Sequence, residues 1–217
     1  MSITVIIPAY NEEKNIGSVI DALNASGLFS SLIVIDDGSK DHTTDIARTH
    51  GARVIQQENK GKGAAMILAA KTAATEYIFF CDADVIGLQQ EHLRSLVDPA
   101  ASGKAAMTIG LRDRGVFLTW FLPYVAPILG GERVLSRSLF LNIIETYTEK
   151  NLSDFGIETY MNAYCFQHNL RVLPVKLKGV TQVIKEQKYG IWIGFKARMR
   201  MVWQILRAEA KTMSIKK

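Results

Sequence analysis

The segment that most restricts the fold is residues 77–85, YIFFCDADV, an unbroken apolar run that ends in two carboxylates, Asp82 and Asp84, one residue apart. A half-exposed strand alternates apolar and polar side chains. A run without alternation belongs to a parallel strand covered on both faces. Open α/β sheets hold their ligands at the C-terminal tips of such strands, which is where this run places its acids. Two neighbouring carboxylates repel unless a positive charge lies between them, and their hard oxygens suit Mg²⁺ or Mn²⁺. Such a cation in turn suits a pyrophosphate. Alone, the pattern is equally that of a strand followed by an Asp-rich turn. The rest of the chain has to decide.

The same pattern recurs upstream. Residues 3–8, ITVIIP, predict a short buried strand, and Asn11 is a suitable N-cap for a helix over 12–24. No G-x-G-x-x-G follows this strand, which argues against an NAD-type Rossmann domain. Residues 32–35 form a second strand ending in Asp36-Asp37-Gly38-Ser39-Lys40-Asp41. An acid there accepts from ribose hydroxyls or a base N–H; equally, Ser39 or Asp41 caps the helix that runs to Ala47. After a third strand at 53–57, Asn59-Lys60-Gly61-Lys62-Gly63 opens a helix over 64–75. Glycines beside lysines at a helix N-terminus turn N–H groups and an ammonium toward an anion. The alternative is a flexible turn with solvated lysines. A P-loop is excluded, because Gln56 stands where its first Gly belongs. A helix over 89–101 and a fifth strand over 105–110, followed by Leu111-Arg112-Asp113-Arg114, complete the first half. Strands alternating with helices in this way predict an α/β domain, a mostly parallel twisted sheet with helices on both faces.

Four motifs in this order, IIPAYNEE (6–13), VIDDGSKDHT (34–43), ENKGKGAA (58–65) and FCDADV (80–85), resemble the family 2 glycosyltransferases, whose fold is the Rossmann-like GT-A architecture. The resemblance implies a nucleotide-diphosphate sugar as donor. It places Pro8, Ala9, Tyr10, Glu12, Asp36 and Asp37 around the nucleoside and Lys62 near its base or phosphates. Asp82 and Asp84 fall at the ribose and the Mg²⁺ or Mn²⁺, with Asp84 also among the catalytic acids.

The second half is less regular. Residues 116–131 are the most apolar stretch but include Pro123 and Pro127. That is too short and too interrupted for a membrane span, and a kinked core helix is expected. In Gly130-Gly131-Glu132-Arg133-Val134-Leu135-Ser136-Arg137 the two arginines lie four apart on one face of an expected helix, where they could fork onto a phosphate. Otherwise Arg137 pairs with Glu132 or Glu145 at the surface. The segment resembles the acceptor loop of dolichol-phosphate mannose synthases and, more closely, of glucosyl-3-phosphoglycerate synthases, whose acceptors carry a phosphate. Gly130, Gly131, Arg133 and Arg137 are thereby implied as acceptor-binding. Glu158 stands in the first turn of a helix expected over 154–168, where the helix dipole alone favours a carboxylate. The resemblance makes it the catalytic acid beside the acceptor. Strands over 171–177 and 178–184 follow. Several relatives carry a histidine metal ligand near here, but Thr181-Gln182-Val183 has none, which leaves a third protein ligand in doubt.

Charge separates the body from the end of the chain. Residues 185–217 hold nine Lys or Arg against two Glu, or +7, so the first 184 residues carry −2 of the net +5. Within 190–210, Trp192, Phe195, Met199, Val202, Trp203 and Leu206 form one helical stripe, with Lys196, Arg200, Arg207 and Lys211 gathered beside it. Such a stripe suits an anionic membrane surface, or else docks on the domain or on a second copy in a homodimer. A slightly acidic body is unlike a nucleic-acid binder. Cys81 and Cys165 lie in apolar segments without metal or redox spacing, as in a cytoplasmic protein, and no secretory signal precedes the first strand.

The expected organisation is a GT-A domain over 1–189, with a nucleotide-sugar half (1–110) and an acceptor half (111–189), followed by a basic amphipathic helical tail (190–217). The expected activity is metal-dependent transfer of a sugar to an acceptor bearing a phosphate, a polyprenyl phosphate or a phosphoglycerate-like molecule, at the cytoplasmic face of the cell membrane. Three alternatives stand beside it. A nucleotidyltransferase would need a glycine-rich basic loop after strand one, which IPAYNEE lacks. A transferase could act on a hydroxyl of a glycolipid or polysaccharide. An inactive nucleotide-sugar or lipid-binding module would not need Asp82, Asp84 and Glu158 together.

Overall fold

The computed structural model describes residues 1–112, 130–147 and 157–182. Its strands are β1 (Ile3–Ala9), β2 (Ser31–Asp36), β3 (Arg53–Gln56), β4 (Tyr77–Phe80), β5 (Val85–Ile86), β6 (Met107–Arg112), β7 (Arg133–Ser136), β8 (Val172–Leu177) and β9 (Thr181–Gln182). Seven of them form one sheet in the order β3-β2-β1-β4-β7-β6-β8, and β5 pairs with β9 in a separate ladder. In the large sheet every strand runs parallel except β7, which is antiparallel to both neighbours.

The missing alternation in the strands has a direct cause. Ile3, Val5 and Ile7 of β1 pack on one face with α1 (Ile16–Ala25), α2 (Thr43–Thr49) and α4 (Gln90–Ala101). Ile6 points to the other face, with Ile33 and Ile35 of β2, against α3 (Lys62–Thr72), α5 (Arg137–Tyr147) and α6 (Ile157–Gln167). Because both faces are covered, both parities are apolar. Phe79 and Phe80 show this within one strand. Phe79 stacks on Phe29 and Phe80 tilts against Phe140, with centroids 5.5 and 4.8 Å apart. Each is fully buried, so truncation of either to Ala would cost about 3–5 kcal/mol. Cys81 and Cys165 are free, buried thiols.

Several expectations are corrected. The 77–85 run is not one strand: β4 ends at Phe80, and β5 begins only at Val85, after the acidic turn. The first helix starts at Ile16, not at residue 12, because Asn11 takes a positive φ of 53°. Its backbone N–H donates to Ser39 Oγ (2.9 Å), and its Oδ1 accepts from Lys40 N (2.8 Å), so Asn11 ties two strand exits together and does not cap. The third helix begins at Lys62, two residues earlier than expected, after Gly61 at φ 89°. Residues 133–136 form β7 rather than a helical turn. Of the expected strand over 178–184, the described part forms β9 from Thr181, which pairs with β5 and not with β8. Residues 116–129, 154–156 and 190–217, and with them the apolar stretch and the tail, lie outside the described residues.

Candidate active site

The parallel strands deliver their C-terminal ends to one edge of the sheet, and the reversed β7 brings its first residue there. Arg133 pairs in register with Phe80, so Gly131 and Glu132 lie beside the Asp82 turn. A Cβ on Gly131 would fall 2.2 Å from Asp82 Oδ2, so only glycine lets the backbone approach this carboxylate.

Around Asp82 the charged side chains form a continuous chain. Lys62 Nζ donates to Asp82 Oδ1 (2.9 Å) and to Glu158 Oε1 (2.7 Å). On the other side Arg112 donates to Asp82 Oδ2 through Nη2, and to Glu132 through both Nη2 and Nε, the latter at 2.7 Å. The Arg112 Nη1 group donates to Gln182 of β9. The order is therefore Glu158, Lys62, Asp82, Arg112, Glu132. The side chains of Arg112 and Glu132 are 1% and 0% exposed, whereas Lys62 and Asp82 retain 20% and 22%. Burial would raise the Asp82 carboxyl, but the Lys62 and Arg112 charges outweigh it and hold the group far below the carboxylate range. Conversely, burial would lower Lys62, and Asp82 and Glu158 more than reverse that.

Lys62 stands in the first turn of α3, where the helix dipole disfavours a cation. Asp37 places it there: Oδ1 accepts Lys60 N (2.7 Å) and Gln57 Nε2 (2.6 Å), and Oδ2 accepts Gly61 N (2.9 Å). Asp36 is similarly occupied, accepting from Ser39 N (2.9 Å) and the Thr44 hydroxyl (2.5 Å). Both acids are buried and shape the loops around the β1 and β2 tips. Pro8 and Ala9 end β1 beside them, Asp37 N donating to Ala9 O (2.9 Å). Tyr10 is 36% exposed there, and Glu12 N donates to Thr43 Oγ1 (2.7 Å). Asp41 accepts from Thr43 N (3.1 Å), but the N-cap position of α2 is His42, and neither Asp41 nor Ser39 fills it as expected.

The expected arginine pair separates. Arg133 is fully buried, donating from Nε to Gly130 O (2.9 Å) and from Nη1 to Asn162 Oδ1 (2.7 Å), one turn beyond Glu158 on α6. Burial pushes its guanidinium down to about 10, against the pull of Glu158, and it stays protonated at neutral pH. Arg137 is at the opposite end of the sheet. It donates to Ala70 O (2.8 Å) and Lys71 O (3.4 Å) at the C-terminus of α3, and an acceptor-binding role is withdrawn. The physical reason is the strand: over an extended β7, Arg133 and Arg137 are a whole strand length apart instead of one helical turn. Arg112, Glu132, Gln182 and Asn162 went unassigned in the sequence. Arg112 and Glu132 had one available signal, a charged residue closing one apolar strand (β6) and another just before the next (β7).

Among the described residues, no three His, Cys, Asp or Glu side chains gather as a ready metal cage. The donor set nonetheless fits a hard divalent cation that takes its remaining ligands from a diphosphate. Its carboxylate oxygens would come from Asp82 and, two residues on in the same turn, Asp84. Glu158 Oε2 is buried and has no hydrogen-bond partner among the described residues.

Comparison with known proteins agrees with this geometry. The model of the family "Glycosyl transferase family 2" matches residues 4–162. The 4,4'-diaponeurosporenoate glycosyltransferase of Staphylococcus aureus is 36% identical over 103 residues, 45% of this chain and 28% of that one. The glucosyl-3-phosphoglycerate synthase of Mycobacterium tuberculosis is 34% identical over 118 residues, 50% of this chain and 36% of that one. The chain thus spans about a third of the length of these curated relatives. Among solved structures, the same M. tuberculosis synthase in complex with phosphoglyceric acid superposes with a TM-score of 0.74 at 24% identity, covering 95% of this chain and 79% of that one. Its complex with Mn²⁺ and UDP-glucose gives 0.68 at 28% identity over 83% and 71%. The fold is that of the GT-A enzymes, and with its family model covering most of its length the chain belongs to glycosyl transferase family 2.

Proposed function

We propose that this chain transfers a sugar from a nucleoside diphosphate sugar to an acceptor bearing a phosphate, with Mg²⁺ or Mn²⁺ as cofactor. The observation that carries the reading is the charge chain at the strand tips, in which Asp82 is held between Lys62 and Arg112 at the mouth of α3. The solved complexes of the M. tuberculosis synthase with Mn²⁺, UDP-glucose and phosphoglyceric acid support it. In this reading the exits of β1 and β2 (Pro8, Ala9, Tyr10, Glu12, Asp36, Asp37) surround the nucleoside, and Lys62 faces the diphosphate.

Asp82 and Asp84 would hold the cation. When bound, it offsets the negative charge that builds on the departing diphosphate. The chain's own residues supply the remainder. Gly130, Gly131 and Arg133 would line the site of the acceptor's phosphate: Gly131 lies against Asp82, and the buried Arg133 is tied to Asn162 on the Glu158 helix. The oxygen of Glu158 left without a partner would take the proton of an acceptor hydroxyl. The acceptor oxygen bonds the anomeric carbon, the bond from that carbon to the diphosphate breaks, and the nucleoside diphosphate leaves. A positioned base of this kind contributes about 10²–10⁴ in rate. The orphaned carboxylate oxygen favours a molecule carrying both a phosphate and a nucleophilic hydroxyl over a bare phosphate monoester, whose oxygen is already ionised and needs no base. The +7 segment at 185–217 supports a further element of the reading, work at the cytoplasmic face of an anionic membrane.

Thermal unfolding with nucleotides tests the donor and the metal together. At a hundredfold excess over Kd a ligand adds about 2.7 kcal/mol, which for a chain of this size raises Tm by about 5–10 °C. UDP or UDP-sugars should do so only with Mn²⁺ or Mg²⁺ present, and Asp84→Asn should abolish the metal-dependent part while the variant alone melts near wild type. An equal shift in Asp84→Asn would refute the site.

A further inference from the structure

Two cations neutralise Asp82, and they differ in how firmly they are held. Arg112 is 1% exposed, its guanidinium bound by both oxygens of Glu132 and by Gln182. Lys62 is 20% exposed and sits on a flexible four-carbon stem at a helix N-terminus, which repels it. Among the described residues its ammonium is held by two carboxylates, 2.9 and 2.7 Å away.

We infer that Lys62 is a place-holder: its ammonium occupies the ground between Asp82 and Glu158 until a donor diphosphate draws it off, and only then are these carboxylates opened to the divalent cation and the acceptor. This rests on the glycosyltransferase reading and adds an order of binding to it. The diphosphate provides the counter-charge Lys62 requires, so nucleotide and metal bind with positive coupling although the two cations compete for the same oxygen. One residue also ties the two halves of the chain, since Lys62, bound to Asp82, reaches Glu158 across 96 positions of sequence. A pair of carboxylates held by an ammonium is kept from collapsing apart, or from taking protons, while the site waits. Lys62 is therefore a positioning residue in the empty site and a diphosphate ligand in the filled one.

The sign of the expected effect is unusual, because removing a side chain should improve metal binding. A cation beside a carboxylate lowers its affinity for a proton by about one to three orders of magnitude, and a divalent cation meets at least that repulsion. Mn²⁺ affinity is measured by electron paramagnetic resonance of free Mn²⁺, without nucleotide and with saturating UDP, on the full chain. Wild type should bind Mn²⁺ weakly alone and at least about tenfold more tightly with UDP. Lys62→Met should bind Mn²⁺ alone about tenfold more tightly than wild type, bind UDP more weakly, and lose most of the coupling. Lys62→Arg, which keeps the charge, should resemble wild type; a purely structural lysine would not give that split. If Lys62→Met is loosely folded, its Tm should rise with Mn²⁺ alone by more than that of wild type. Unchanged or weaker Mn²⁺ binding by a folded Lys62→Met, in a wild type that binds both ligands, overturns the place-holder while leaving the glycosyltransferase reading intact. A wild type that binds neither Mn²⁺ nor any nucleotide overturns both.

Discussion

Asp36 carries no exposed charge: it is 1% accessible at the tip of β2, and its two oxygens are taken by Ser39 and Thr44. Burial acts to raise its carboxyl, and the hydrogen bonds from Ser39 and Thr44 outweigh it, so the folded value lies below the ordinary one. A depressed carboxylate gives stability that is fully present above the unfolded value near 3.9 and is lost as pH falls through the folded value. Hydrogen bonds to a charged group are worth about 1.5–3 kcal/mol. Asp36→Asn should therefore cost about 2 kcal/mol in urea unfolding, constant from pH 5 to 8 and shrinking only below about pH 4. A deficit that grew on acidification would show that the carboxylate is not stabilised in the way described. Such a residue is legible as an acid at a strand tip. Whether its oxygens are spent on the loop or kept for a ligand depends on Ser39 and Thr44 folding back onto it, which no pattern of residue types states.

At the level of elements, β7 decides most. Its sequence, Arg133-Val134-Leu135-Ser136, is too short to show a period, and the arginine spacing that suggests one helical face arises by chance across a strand and the start of α5. What makes it a strand is the space between β4 and β6, whose N–H and C=O groups need a partner. The consequence is that Arg137 binds carbonyls at the end of α3, a position where a cation also meets the helix dipole favourably. Arg137→Ala should lower stability by about 1 kcal/mol, read as a fall in the urea midpoint at unchanged slope, and leave kcat/KM for the acceptor within about twofold. A large loss of turnover without loss of stability would return Arg137 to the acceptor site. The start of α3 is set just as remotely, by Asp37 reaching across to the N–H groups of Lys60 and Gly61, and that is why Lys62 falls inside the helix.

On the scale of the molecule, charge is divided between an acidic-tipped domain and a basic end. Among the described residues no helix is long and apolar enough to cross a membrane. The attachment to a bilayer that we propose would draw on the basic end, each Lys or Arg near an anionic surface being worth about 1 kcal/mol. We expect the full chain to sediment with vesicles rich in anionic lipid at low salt, and less so as salt is raised. Removal of 190–217 should release it without altering the nucleotide-induced rise in Tm. Indifference of the full chain to such vesicles would assign the stripe to a protein contact instead.

By itself, the sequence determined the parallel core, the strand tips as the place of chemistry, and the acids that stand there. Those features are local: an apolar run without alternation requires two covered faces, and the residue after the run is at the tip whatever else the chain does. Only the tertiary structure decided the partners. Lys62 meets Glu158 across 96 positions and Arg112 meets Glu132 across 20, through a sheet order in which β7 enters between β4 and β6. The energy of burying a charge depends on the charge brought opposite it. That choice is made by topology, after the strands have paired.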